Sequence, residues 1–220
     1  MRKIYTWAQH PKYKMYESVA MSKAKTDLAK TRALNKEEKY FEQLFFGILD
    51  VIDNWKPPKL TTMKEDKRIK YLDGDMNTWR GNSYIISQNM IDKIGYVLEK
   101  YGIYLPLEVV DREEKLYRYW VTNELECLDK EKSNIKINWS SSYFEINKLI
   151  VNEEKYDGSM IFRIKDKDYV DNDYFVTKEF IELIKKHNLK GFQFYKCNPA
   201  RTELYYGDDE DCKEKPILIG

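Results

Sequence analysis

Two stretches ninety residues apart carry the same order of signals, and that recurrence limits what the chain can fold into more than any other feature. Tyr84-Ile85-Ile86-Ser87 is a short apolar run ending in a helix-capping residue. It is followed by the helical sequence QNMIDKIGYVLEKYG and then by IYLPLEVV, which reads as a strand. Tyr174-Phe175-Val176-Thr177 opens the second copy, followed by KEFIELIKKHNLKG and the strand FQFYKC. Ile91 and Ile94 of the first copy correspond to Ile181 and Ile184 of the second. Each helix stops at a glycine, Gly102 or Gly191, the residue best suited to a left-handed position after a helix. Ser87 and Thr177 can accept the orphan N–H groups of the first turn.

Between the copies, YRYWVTNELECLD, IKINW, SYFEINKLIV and SMIFRIKD alternate β-branched and aromatic residues with polar ones, and turn signals such as Tyr156-Asp157-Gly158 separate them. Strands gathered between two helices predict an α+β fold with a largely antiparallel sheet flanked by the two capped helices. The N-terminal third reads as helical. Residues 14 to 33 are rich in Ala and Lys, and Asn35 with Glu38 caps a second helix in which Phe41, Leu44, Phe45, Ile48, Leu49 and Ile52 recur at three-and-four spacing. Trp55 and Pro57-Pro58 end that helix. The expected organisation is an N-terminal helical region over 1–56, a polar connector over 57–80 and an α+β domain over 81–220, with the first region free to pack on the last.

The 220 residues suffice for a core without metal or disulfides, and 18 tyrosines against 9 glycines argue against disorder. Cys127, Cys197 and Cys212 are odd in number and widely spaced, which fits reduced thiols and no metal or redox motif. No apolar run approaches eighteen residues and the N-terminus lacks a signal-peptide core, so the reading is a cytoplasmic chain that neither spans a membrane nor is secreted.

Catalytic signals are scarce. The sequence has no GxGxxG, GxxxxGK[ST], HExxH or GxSxG spacing, so the phosphate cradles and nucleophile elbows that depend on them are absent. Of two histidines, His10 precedes a proline in a loop and His187 falls in the last turn of a helix, where a cation complements the dipole. Carboxylates cluster at Asp73 and Asp75, at Glu124, Glu126 and Asp129, and at Asp208-Asp209-Glu210-Asp211, without the spacing of a calcium loop. Charge is uneven: through Lys39 there are ten basic residues against four acidic, and beyond it 28 against 33.

The ordered set Ser87, Cys127-Leu128-Asp129, Ile161-Phe162-Arg163 and Leu189-Lys190-Gly191-Phe192, over residues 80 to 196, resembles the immunity-protein domain first recognised in myxobacteria, from bacterial polymorphic-toxin systems. The resemblance implies a protein that binds and neutralises a cognate secreted toxin encoded by a neighbouring gene, protecting the producing cell or its kin, without catalysis and with no cofactor. The matched motifs look like fold determinants. The expected partner-binding residues are therefore the acidic Asp208, Asp209, Glu210 and Asp211, with Asp73 and Asp75, which could complement the basic cleft of a toxin acting on nucleic acid. Two alternatives stay open. One is a metal-dependent hydrolase using Asp73, Asp75, Asp208 and Asp209; the other is a nucleic-acid-binding module using the basic N-terminal segment, disfavoured by the near-neutral charge and missing motifs.

Overall fold

The computed structural model describes residues 3–26, 28–29, 52, 55–63, 71–79, 83–138, 143–166, 169–170, 173–196 and 214–220. In chain order the elements are β1 (Ile4–Gln9), β2 (Met15–Ser18), α1 (Val19–Ser22), β3 (Lys59–Thr62), β4 (Met76–Trp79), β5 (Tyr84–Ser87), α2 (Gln88–Leu98), β6 (Gly102–Pro106), β7 (Glu108–Val109) and β8 (Leu116–Val121). They continue with β9 (Glu124–Leu125), β10 (Asn134–Asn138), β11 (Tyr143–Lys148), β12 (Ile161–Asp166), β13 (Tyr169–Val170), β14 (Phe175–Thr177), α3 (Lys178–Lys186), β15 (Phe192–Tyr195) and β16 (Ile217–Ile219).

The architecture is sheet-rich, and the expected α+β arrangement with N-terminal helices is not borne out. One seven-stranded sheet runs β13-β12-β14-β1-β15-β16, with β9 also pairing with β12; a second runs β6-β8-β5-β4-β2-β3-β7; β10 and β11 form a separate ribbon. In place of the helix expected from Lys14 to Ala33, Met15–Ser18 is a strand and α1 is a single turn of four residues. Tertiary pairing makes Met15–Ser18 a strand: Tyr16 stands opposite Thr62 on β3 and Trp79 on β4, and is buried among Leu60, Trp79 and Ile85. The second expected helix, opening at Asn35, lies outside the described residues apart from Ile52 and Trp55. The segment 57–80, expected as a connector, carries β3 and β4, both inside the second sheet.

The earliest strand sits in the middle of its sheet. β1 pairs antiparallel with β14 on one side (Ile4 opposite Thr177) and with β15 on the other (Gln9 opposite Phe192). It thereby carries Trp7 to the centre of the largest apolar cluster, where side chains from both sheets and from α2 and α3 meet. Trp7 is fully buried, and its ring lies 5.3 to 6.1 Å from those of Tyr84, Tyr119, Tyr174, Phe180 and Phe192. Tyr84 and Tyr174 touch each other at 4.8 Å. Their hydroxyls donate to main-chain carbonyls, Tyr84 to Trp7 O at 2.5 Å and Tyr174 to Tyr119 O at 3.1 Å, so the buried O–H groups are satisfied. A second cluster, with Cys127, Phe162, Ile164 and Phe175, lies on the other side of the first sheet.

Both longer helices begin after the expected cap residues, but only Ser87 caps with its side chain; Thr177 makes no side-chain capping bond. Ser87 Oγ accepts from Met90 N at the start of α2, and His187 is the C-cap of α3, its carbonyl accepting from Lys93 Nζ of α2. The two glycines act differently from each other. Gly191 has φ +98°, and a β-carbon there would lie 2.4 Å from the carbonyl oxygen of Met76. Gly102 is not left-handed; it is required by the close approach of β8, since a β-carbon would lie 2.3 Å from the carbonyl oxygen of Trp120.

Gly191 and Gly158 separate backbone strain from collision. Gly158 has φ +91° with nothing within 4 Å of the place a β-carbon would take, so Gly158→Ala meets only the conformational cost, about 1–2 kcal/mol. Gly191→Ala adds overlap with backbone and is expected to cost about 2–5 kcal/mol. Urea unfolding of the two variants checks this; equal losses would show that the Met76 contact is not tight.

Candidate partner-binding surface

Asp73 and Asp75 are separated by Gly74 at the entrance to β4, and the chain turns them to opposite environments. Asp75 is buried, 8% exposed. Its Oδ1 accepts from Ser87 Oγ (2.9 Å) and Asn89 Nδ2 (2.5 Å), and its Oδ2 accepts from Lys190 N (2.8 Å). Its own N–H donates to Lys190 O at 2.9 Å. The carboxylate therefore ties the N-terminus of α2 to the turn that follows α3.

Asp73 faces outward, with its side chain 57% exposed, and pairs with Lys14 Nζ (2.8 Å) and Arg112 Nη2 (2.7 Å). Burial alone would raise its pKa, but the Lys14 hydrogen bond and the Arg112 charge outweigh that and hold the carboxyl below the usual range. Arg112 is the hub. Its Nη1 donates to Tyr16 Oη at 2.5 Å and its Nη2 also reaches Glu114 Oε2 at 2.9 Å. Burial pushes the Tyr16 hydroxyl up to about 12 despite the guanidinium, and it pushes the Glu114 carboxyl upward as well. Next to this network, both Asp111 carboxylate oxygens accept from Thr62 N (3.0 and 3.3 Å). Leu72 and Val110, flanking Asp73 and Asp111 in the chain, are 43% and 54% exposed.

The sequence points to Asp73 but not to Arg112 or Lys14, which come from chain segments 98 residues apart and meet only through the pairing of β2, β3 and β7. Asp208, Asp209, Glu210 and Asp211 lie outside the described residues, as do Cys197 and Cys212. Of the other carboxylates, Glu124 pairs with Arg163 at 3.3 Å and Asp129 with Lys132 at 2.9 Å. Among the described residues no group of three or more His, Cys, Asp and Glu side chains is placed to hold a metal ion. Cys127 is fully buried, and burial pushes its thiol up to about 11, far from the thiolate a nucleophile needs. Among the described residues no helix is long and apolar enough to cross a membrane.

His10 follows β1 in a tight turn. It is 7% exposed, its Nδ1 accepts from Lys12 N at 3.1 Å, its N–H donates to Gly191 O, and its ring meets Tyr13 edge-on at 5.3 Å. Burial, and next the Lys12 charge, lower its pKa below 6.5. Below that value the unfolded chain binds a proton that the folded chain resists. Stability present at neutral pH is therefore lost as pH falls from the unfolded-state value through the folded one. His10→Asn keeps an acceptor for Lys12 N and removes the titration. The wild-type melting temperature is expected to fall more than that of His10→Asn between pH 7.5 and 5.5; parallel curves would place the acid sensitivity elsewhere.

A search of curated proteins returns no match to this chain. A protein-family model does match, over residues 9–199, from the last residue of β1 to beyond β15, and its description is immunity protein family (Imm11). The match takes in β2 to β15, with all of α2 and α3, and the chain belongs to the Imm11 immunity protein family.

Proposed function

We propose that this protein neutralises a cognate toxin by binding it, in a 1:1 complex and without turnover, in the cytoplasm of the cell that makes the toxin or of its kin. The observation that carries the reading is the family match over residues 9–199. The chemistry of the described residues is compatible with it. The buried thiol of Cys127, the acceptor role of His10 Nδ1 and the inward-facing Asp75 all serve the fold.

The contact surface we propose is acidic and comprises Asp73 with the run Asp208 to Asp211. Asp75 belongs to the set expected from the sequence, but its oxygens are taken by Ser87, Asn89 and Lys190, so it acts through the backbone it holds. Carboxylates facing a basic cleft accelerate encounter and suppress wrong partners, and the effect weakens with salt.

Co-expression with the toxin domain encoded by the neighbouring gene tests the function. Growth is expected to be restored and the two chains to co-purify in equimolar amounts; persistent toxicity with no complex, at normal levels of folded protein, would refute it. Reversing Asp73 and Asp208 to Asp211 to Lys is expected to slow association roughly tenfold or more at low salt. Unchanged association would remove this surface and leave the binding function standing.

A further inference from the structure

The central strands of the two sheets are the same set in the same order. One sheet contains β4-β5-β8-β6 and the other β12-β14-β1-β15. The registers correspond pair by pair. Ile86 opposite Met76 matches Val176 opposite Ile161, Ser87 opposite Leu116 matches Thr177 opposite Ile4, and Gly102 opposite Val121 matches Phe192 opposite Gln9. From Tyr84 to Tyr104 the offset to the second copy is 90 residues without insertion, and core positions agree, Met90 with Phe180 and Ile94 with Ile184. The bond joining each cap to the neighbouring strand is also repeated: Ser87 N donates to Asp75 O (2.9 Å) and Thr177 N to Met160 O (3.1 Å).

A split strand-helix-strand unit can arise twice by topology alone. The tyrosine bonds go further. Under the same correspondence Tyr84 becomes Tyr174 and Tyr119 becomes Trp7. Tyr84 donates to the carbonyl of Trp7, and Tyr174 donates to the carbonyl of Tyr119. Each unit's tyrosine therefore latches the inserted strand of the other, a reciprocity that shared topology does not require. The difference lies in where the inserted strand comes from. β8 follows β6 in the chain, whereas β1 precedes the other described strands and pairs with strands more than 160 residues away.

We infer that the chain is one β-β-α-β-β unit present twice, and that the N-terminal strand β1 is the displaced last strand of the second unit, acting as a clasp that closes the fold. The slot between β14 and β15 is complete only after residue 195 has been made, so the clasp is synthesised long before its partners and is among the last strands to pair.

The inference predicts that β1 can be returned to a position after β15. Gly220 lies against the Tyr13 ring, three residues beyond His10, at the far end of β1 from its start. A linker from Gly220 must therefore run back along the six residues of β1, about 20 Å. Ten Gly/Ser residues span up to about 33 Å. A circular permutant beginning at Pro11 and ending with such a linker and residues 1–10 is expected to keep the far-UV dichroism of the parent and to melt cooperatively. Loss of cooperative melting with both ten- and fifteen-residue linkers would overturn the inference.

A second measurement uses the unpermuted chain. Tyr84→Phe and Tyr174→Phe each remove one hydroxyl bond to an equivalent carbonyl, and each is expected to lower the melting temperature by roughly 2–4 °C. A large drop for one with none for the other would end the proposed equivalence.

Discussion

The burial of Trp7 is the constraint on which the rest of the structure depends. Its strand lies between β14 and β15, and its ring touches side chains from β5, β8, α3 and β15 and the Tyr174 ring just ahead of β14. Ring pairs of this kind add about 0.5–1.5 kcal/mol each beyond the burial of their area, so five of them outweigh the cost of one buried donor. That cost is real, because the indole Nε1–H of Trp7 is buried with no hydrogen-bond partner among the described residues. The site is fitted to the shape of the ring at the expense of its polar atom. A smaller residue there would open a void where both sheets meet, at the point where five aromatic neighbours converge.

Asp75 shows how polar chemistry is used to hold the halves together once the aromatic centre is set. A carboxylate at 8% exposure needs several donors, and it finds them in one helix cap, one neighbouring side chain of the same helix and one backbone N–H from the turn after the other helix. The same turn contains Gly191, whose missing β-carbon lets the carbonyl of Met76 approach. Asp75, Met76 and Gly191 thus form a single close contact in which the carboxylate supplies attraction and the glycine supplies room. The second unit has Met160 where the first has Asp75, and Thr177 makes no side-chain capping bond. The polar tie across the seam is therefore built from the first unit's side.

The sequence discloses this structure wherever the deciding interactions are local. The Ser87 cap and the apolar spacing of Ile91, Ile94, Ile181 and Ile184 mark α2 and α3, because capping and helical period act within one or two turns; Thr177 marks the start of α3 by position without a side-chain bond. It misleads in the N-terminal third. Met15–Ser18 is too short to show a period, and its place as a strand is set by the partners of Tyr16, Thr62 and Trp79, which are 46 and 63 residues further along the chain. Ile4-Tyr5-Thr6-Trp7 has the β-branched and aromatic composition of a strand, but what gives it a central place lies more than 160 residues away. The same limit applies to the surface. Asp73 can be named from the sequence, whereas Arg112, Lys14 and Tyr16 become its neighbours only through the sheet.

Sheet edges decide how a protein that works by binding stays selective. A long, open edge strand would pair with any extended chain, and recognition would then rest on backbone rather than on side chains. Among the described residues, four of the five outer strands in the two large sheets are short: β7, β9 and β13 have two residues each and β16 has three. β7 carries the Lys59–Glu108 ion pair across to β3. The fifth, β6, has five residues, but it ends in Pro106, which has no N–H to offer, and the carbonyl of Pro106 accepts from Trp55 Nε1 at 2.7 Å. With the described edges blunted in these ways, the binding proposed above would rest on side chains rather than on backbone pairing.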